Sequence, residues 1–237
     1  MFQKIFTRFI SLKTLTTPNP NALKFISPEF KILPQQLKNK TFEFTSSLQS
    51  IHSPLALKLF NIPGVRSVML GNDFLTVNKQ DHINWANLTP EVKEVLESFS
   101  KTGQPTITHE LINEIQNEEA VDNSNDSELV SMIKELIETR IRPAIQDDGG
   151  DIEFKGFDEE TGNVFLKLQG ACKSCSSSED TLKNGIESML KHYIEEVNEV
   201  IQILDPEEEI AMKEFEKLEQ SLKKNKTNEE GDAPPNL

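Results

Sequence analysis

The chain has 237 residues, 36% of them hydrophobic, and a formal net charge of −14, which suffices for one large or two small globular domains. So acidic a surface repels phosphate backbones and anionic headgroups, which excludes nucleic acid and membrane as partners. No run of about 18 apolar residues offers a bilayer span, and two cysteines in the whole chain exclude a disulfide framework.

Residues 1–16 carry Lys4, Arg8 and Lys13 without an acid, the hydroxyls of Thr7, Ser11, Thr14 and Thr16, and Phe2, Ile5, Phe6, Phe9 and Ile10 at helical spacing. This pattern reads as a mitochondrial transit peptide, which places the mature protein in the mitochondrial matrix. An amphipathic first helix and a short secretory signal are the alternatives. The secretory reading lacks a continuous apolar stretch and a small-residue cleavage site.

Residues 17–102 read as a first α+β domain. Val65–Leu70 and Phe74–Asn78 alternate apolar and polar residues about Gly71-Asn72-Asp73, the composition of a hairpin. Pro54–Phe60 and Pro90–Phe99 read as helices, the second with Thr89 as N-cap and Pro90 at the first helical position. His52, His82 and Trp85 are scattered and suggest packing rather than ligation. Residues 103–127, dominated by Asn, Glu, Asp and Ser, read as a flexible linker.

Residues 128–204 form the second domain, with the order α-β-β-α-β. Leu129, Met132, Ile133, Leu136, Ile137, Ile141 and Ile145 recur every three or four positions, so 128–146 is an amphipathic helix despite Pro143. Gly149-Gly150 terminates it. Strands follow at 151–157 and 163–169, then the pair Cys172-Lys173-Ser174-Cys175, a helix opening at Ser176, and a third strand at 199–204. Residues 205–237 read as an acidic extension, first helical with the narrow apolar stripe Ala211, Phe215, Leu218 and Leu222, then disordered and rich in Gly and Pro. The fold class is α+β: two small domains joined by a flexible linker, with the CxxC at a strand-to-helix turn.

That turn bears the chemistry. A helix start offers unpaired N–H groups and a positive dipole end, and Lys173 adds a positive charge, so Cys172 and Cys175 are expected as thiolates. Thiolates serve equally as redox dithiols or as soft-metal ligands. A thioredoxin-like redox site sets a proline loop opposite its cysteines, yet after Cys175 the chain has just Pro206, Pro234 and Pro235. A metal site needs about four ligands where one chain offers two thiols, and His192 lies roughly 21 Å along the helix, too far to join them. A homodimer supplies four thiolates on a two-fold axis, enough for a cubane cluster or a tetrahedral zinc. Asp147, Asp148 and Asp151 lack the ligand spacing of a calcium loop and read as a helix stop. Ser176, Ser177 and Ser178 read as helix capping.

The runs Met132-Ile133-Lys134-Glu135-Leu136, Thr139-Arg140-Ile141-Arg142-Pro143, Asp148-Gly149-Gly150-Asp151, Leu168-Gln169-Gly170-Ala171-Cys172-Lys173-Ser174-Cys175 and Thr181-Leu182-Lys183-Asn184-Gly185-Ile186 resemble the C-terminal domain of the NifU-like (Nfu) family. Thr17-Pro18-Asn19-Pro20-Asn21-Ala22-Leu23-Lys24-Phe25, Ser53-Pro54-Leu55-Ala56 and Ile62-Pro63-Gly64-Val65 resemble its N-terminal domain. The resemblance implies a 4Fe-4S cluster bridging two subunits through Cys172 and Cys175. It also implies a homodimer when the cluster is bound, upstream cluster-assembly proteins, and transfer to apoproteins such as lipoyl synthase, without enzymatic turnover. Gly170 is expected to let backbone approach the cluster. Ser176 stands where family members usually have proline.

Overall fold

A computed structural model describes residues 11–37, 40–122, 126–173 and 176–204. Among these residues the strands form two sheets. The first has the order β1-β2-β5-β4-β3, comprising β1 (Lys13–Thr16), β2 (Ala22–Ile26), β3 (Phe42–Phe44), β4 (Val65–Leu70) and β5 (Phe74–Lys79), every neighbouring pair antiparallel. β4 and β5 form the expected hairpin. Helix α1 (Pro54–Phe60) lies between β3 and β4 in the chain, capped by Ser53, whose Oγ accepts from the Ala56 N–H and donates to the Thr106 carbonyl.

Helix α2 (Trp85–Thr102) starts earlier than Pro90 suggested. Asn84 is its N-cap, accepting from the Ala86 N–H, and Pro90 sits inside the helix. There it leaves the Ala86 carbonyl without the usual donor. Burial outweighs that loss: Leu88, Val92, Leu96 and Phe99, spaced by three or four, all enter the first core. Gly103 ends the helix at φ 66°.

The stretch 103–127, expected as a flexible linker, is partly core. Helix α3 (His109–Asp122) occupies much of it, and Thr106, Ile107 and Ile115 are buried. Ile107 and Ile115 join Phe25, Leu55, Leu59 and Leu75 in one cluster. Strand β1 likewise lies within the expected leader 1–16, paired with β2 from Lys13↔Ile26 to Thr16↔Leu23. Residues 1–10 of that leader lie outside the described residues, as does the expected tail from residue 205.

The second half follows the expected order. Helix α4 (Glu128–Leu136) is capped by Ser127, and α5 (Arg142–Asp147) continues its direction after a π-helical turn at Ile137–Ile141. Pro143 explains the break: lacking an N–H, it cannot continue the α-helical ladder, and the Arg142 N–H reaches back to the Ile137 carbonyl instead. The apolar stripe survives, with Ile133, Ile137, Ile141 and Ile145 all buried. Strands β6 (Gly150–Asp158) and β7 (Asn163–Gly170) pair antiparallel from Gly150↔Gly170 to Asp158↔Asn163, and β8 (Glu199–Gln202) adds to β7. Helix α6 (Ser176–Tyr193) lays Ile186 and Leu190 on the same core as Ile152, Val164, Leu166 and Leu168.

Placing Ile107 in a core rather than a linker has a measurable consequence. Ile107→Ala should lower the unfolding free energy by about 2–5 kcal/mol in denaturant titration, as for a buried isoleucine. A linker position would change it by less than about 0.5 kcal/mol.

Candidate functional site around Cys172

The β6–β7 ladder ends on Gly150↔Gly170, and this register sets two chain reversals side by side. On one side Gly149 leaves α5 with φ 80°; on the other Gly170 leaves β7 with φ 65°. Both angles lie where side chains are strained and glycine is not. The Ala171 N–H donates to the Gly149 carbonyl at 3.2 Å, fastening the reversals together. Ala171–Lys173 then forms a single 3₁₀ turn. Cys172 comes to rest directly against Gly150, where a Cβ would collide with the Cys172 Sγ.

Asp151 anchors the base of this arrangement. Its buried carboxylate accepts from Arg142 Nε at 3.0 Å, Gln146 Nε2 at 3.3 Å, Thr41 Oγ1 and the Ile152 N–H at 2.7 Å. Arg142 also donates to the Ile152 carbonyl. A buried carboxylate so surrounded is a structural tie between α5 and β6 rather than an open ligand. Among the described residues no group of three or more His, Cys, Asp or Glu is placed to hold a metal.

Cys172 is 8% exposed and belongs to the second core. Burial pushes its thiol up to about 12, with the carboxylates of Asp148, Asp151 and Glu43 adding in the same direction. A thiolate was expected from the sequence, and the structure reverses this for Cys172. Desolvation of a charged sulfur outweighs the pull of a helix start, and Lys173 faces Glu43 at 3.4 Å, so its charge is shared with a carboxylate. A cavity of about 440 Å³ opens beside the sulfur, lined by Pro18, Ile145, Cys172, Leu182, Ile186 and Met189 among others. A soft donor in an apolar wall suits a soft-metal cargo, because the wall limits water at the bond. Ser174 and Cys175 lie outside the described residues, and the serines after them are described as helical backbone.

Sequence reasoning missed the contribution of the first domain. Asn19 Nδ2 donates to the Ala171 carbonyl at 3.0 Å, Lys24 Nζ to Gln146 at 2.7 Å, Thr76 Oγ1 to Gly149 at 2.7 Å and Asn78 Nδ2 to Gly170 at 3.2 Å. Glu43 accepts from the Gly170 N–H at 3.2 Å. Gly170 was expected to admit a cluster; here its close neighbours are Met69 and the Gly149 carbonyl, which a Cβ would meet at 2.7 and 2.8 Å. Lys24 neutralises carbonyls at the α5 C-terminus, and burial pulls its ammonium below the ordinary lysine value while Asp147, Asp73 and Asp148 oppose that. Each of the neutral hydrogen bonds contributes about 0.5–1.5 kcal/mol net, and those of Lys24 and Glu43, which involve a charged group, about 1.5–3 kcal/mol. The sequence carried no local signal for them: Thr76 and Asn78 hold the polar positions of the expected alternation, and only the fold shows every residue of that strand buried. His52, His82 and His192 take no part, and His192 stacks edge-on against Tyr193 at 4.9 Å.

In a Cys175→Ser background, alkylation of Cys172 in the metal-free chain should be slow at pH 8. Its rate should keep rising about tenfold per pH unit beyond pH 9, where an ordinary thiol levels off. The protonated thiol favours the folded state fully below pH 9.0, and that contribution is lost as pH climbs toward 12. Gly150→Ala should cost about 1–3 kcal/mol by overpacking and displace the sulfur, read as a lower melting temperature with faster alkylation at pH 8.

Two family models match the chain: the NifU-like domain over residues 133–201 and the scaffold protein Nfu/NifU N-terminal domain over 12–103. A NifU-like protein of Schizosaccharomyces pombe is 51% identical, over 95% of this chain and 85% of its own length. The mitochondrial NifU-like protein of Saccharomyces cerevisiae is 48% identical, over 92% of this chain and 90% of its own. A Drosophila virilis protein named a mitochondrial NFU1 iron-sulfur cluster scaffold homolog is 44% identical, over 99% of this chain and 75% of its own. With both domains matched in order and these identities spanning most of each chain, the protein belongs to the NifU-like (Nfu) family of scaffold proteins.

Proposed function

We propose that two copies of this chain hold one 4Fe-4S cluster on Cys172 and Cys175 of each, in the mitochondrial matrix, and pass it to apoproteins such as lipoyl synthase. The cluster is cargo, and the chain acts as carrier rather than catalyst. Membership of a scaffold family whose relatives are named for iron–sulfur clusters and mitochondria supports this reading. The observation that carries it is the position of Cys172: a soft donor at a strand-to-helix turn, held by glycine contacts on one side and opening on an apolar cavity on the other.

The chain's residues would contribute as follows. Cys172 must lose its proton to bind iron, so loading releases protons and is favoured by rising pH. The buried Asp151–Arg142 pair fixes the turn that carries the cysteine. The apolar wall slows hydrolysis at the iron–sulfur bond while leaving one face for a client's thiols. The chain has two cysteines, and a cubane is held by about four thiolates; sharing between two copies resolves the count. No helix among the described residues is long and apolar enough to cross a membrane.

Anaerobic reconstitution with iron and sulfide tests this directly. The expected product is a brown dimer with about four irons and four sulfides per two chains. Cys172→Ala and Cys175→Ala should each abolish both colour and dimer. A single-cysteine variant that kept a full cluster, or a colourless monomer cycling a Cys172–Cys175 disulfide, would overturn the reading.

A further inference from the structure

The first sheet has two unlike faces. Along β5, Leu75 and Val77 enter the first core, while Thr76 and Asn78 point to the other side and bond to carbonyls of the cysteine turn. Along β4, Val68 and Leu70 are core residues, and Met69 instead meets Gly170. Asn19, Lys24 and Glu43 add to the same face. All five polar side chains read backbone groups, those of Gln146, Gly149, Gly170 and Ala171. The fit is close, because a Cβ at Gly149 would lie 3.0 Å from Thr17 Cγ2 and 3.2 Å from Thr76 Oγ1.

We propose that the polar face of the first sheet is a docking surface for this chain's own cysteine turn, occupied in the cluster-free chain and vacated when two copies share a cluster. The second half rests on the shared-cluster reading above. With the face occupied, Cys172 is 8% exposed and Pro18 of the first domain walls the cavity beside it. A second copy bringing its own cysteines to Cys172 has that cavity as its approach, and Pro18 of the first domain stands in its wall. The contacts that hold the face closed are mostly hydrogen bonds rather than apolar burial. Such interfaces between domains of one chain separate and re-form readily. The first domain therefore covers the turn when there is no cargo and yields when a second turn arrives.

The Gly170 amide reports this contact, since its N–H is donated to Glu43 of the first domain. In the full cluster-free chain, residue-resolved amide exchange should show Gly170 protected. The Asn19→Ala/Thr76→Val double variant should speed it at least tenfold with the β6–β7 ladder unchanged. Should that variant lose ladder protection, Glu43→Ala on the edge strand β3 reads the same amide and is expected to speed it alike. Solution scattering of the cluster-loaded dimer should show the first domains separated from the turns. An unprotected Gly170 in the cluster-free parent, variants without effect, or a loaded dimer that keeps the closed arrangement would each overturn the proposal. A chain that never takes up iron would overturn the shared-cluster reading instead, because the exchange arm is measured without iron and decides the docking by itself.

Discussion

The close pairing of Gly150 with Gly170 at the end of the β6–β7 ladder is the constraint on which the site depends. It brings the exit of α5 and the exit of β7 within hydrogen-bond reach, and it leaves room for a sulfur where a side chain would otherwise stand. Every other feature builds on that placement. Asp151, next along β6, ties the pair to α5 through Arg142, and the carbonyls exposed at both reversals become the acceptors the first domain uses. Without glycine at 149 and 170 the backbone would take the positive φ angles that turn those carbonyls outward only under strain.

The electrostatics of Cys172 run against a reactive-cysteine interpretation. A redox dithiol needs a thiolate near neutral pH, whereas burial and three carboxylates hold this thiol protonated. A metal ion bound there would reverse that balance, since its charge would compensate the thiolate that the protein environment penalises. The same acidic flank that discourages ionisation of the free thiol is compatible with a cationic cargo.

The second domain was legible because its signals are local. The three- and four-residue spacing from Ile133 to Ile145, the alternation of Ile152 and Phe154, the alternation of Val164, Leu166 and Leu168, and the glycine stop at Gly149 each depend on neighbours in sequence. The π turn at Ile137–Ile141 was not legible, although Pro143 marks its cause. In the first domain β1, β2 and β3 escaped notice. They are short, and β1 is mostly exposed at a sheet edge, so the apolar alternation that marks a half-buried strand is weak. The polar run after Gly103 hid Ile107 and Ile115, whose burial depends on partners such as Phe25 and Leu55 far back in the chain.

The sequence by itself determined the α+β class, the order of elements in the second domain, the position of Cys172 just after a strand and the family, because periodicity, glycine stops and motif spacing are properties of adjacent residues. Tertiary structure decided that the thiol of Cys172 is buried, which favours its protonated form, and that the first domain bonds to the backbone of Gly149, Gly170 and Ala171. The Asn19–Ala171 bond joins residues 152 apart in sequence. A contact of that range, and the desolvation it enforces, come into existence when the chain has folded and leave no local pattern to read beforehand.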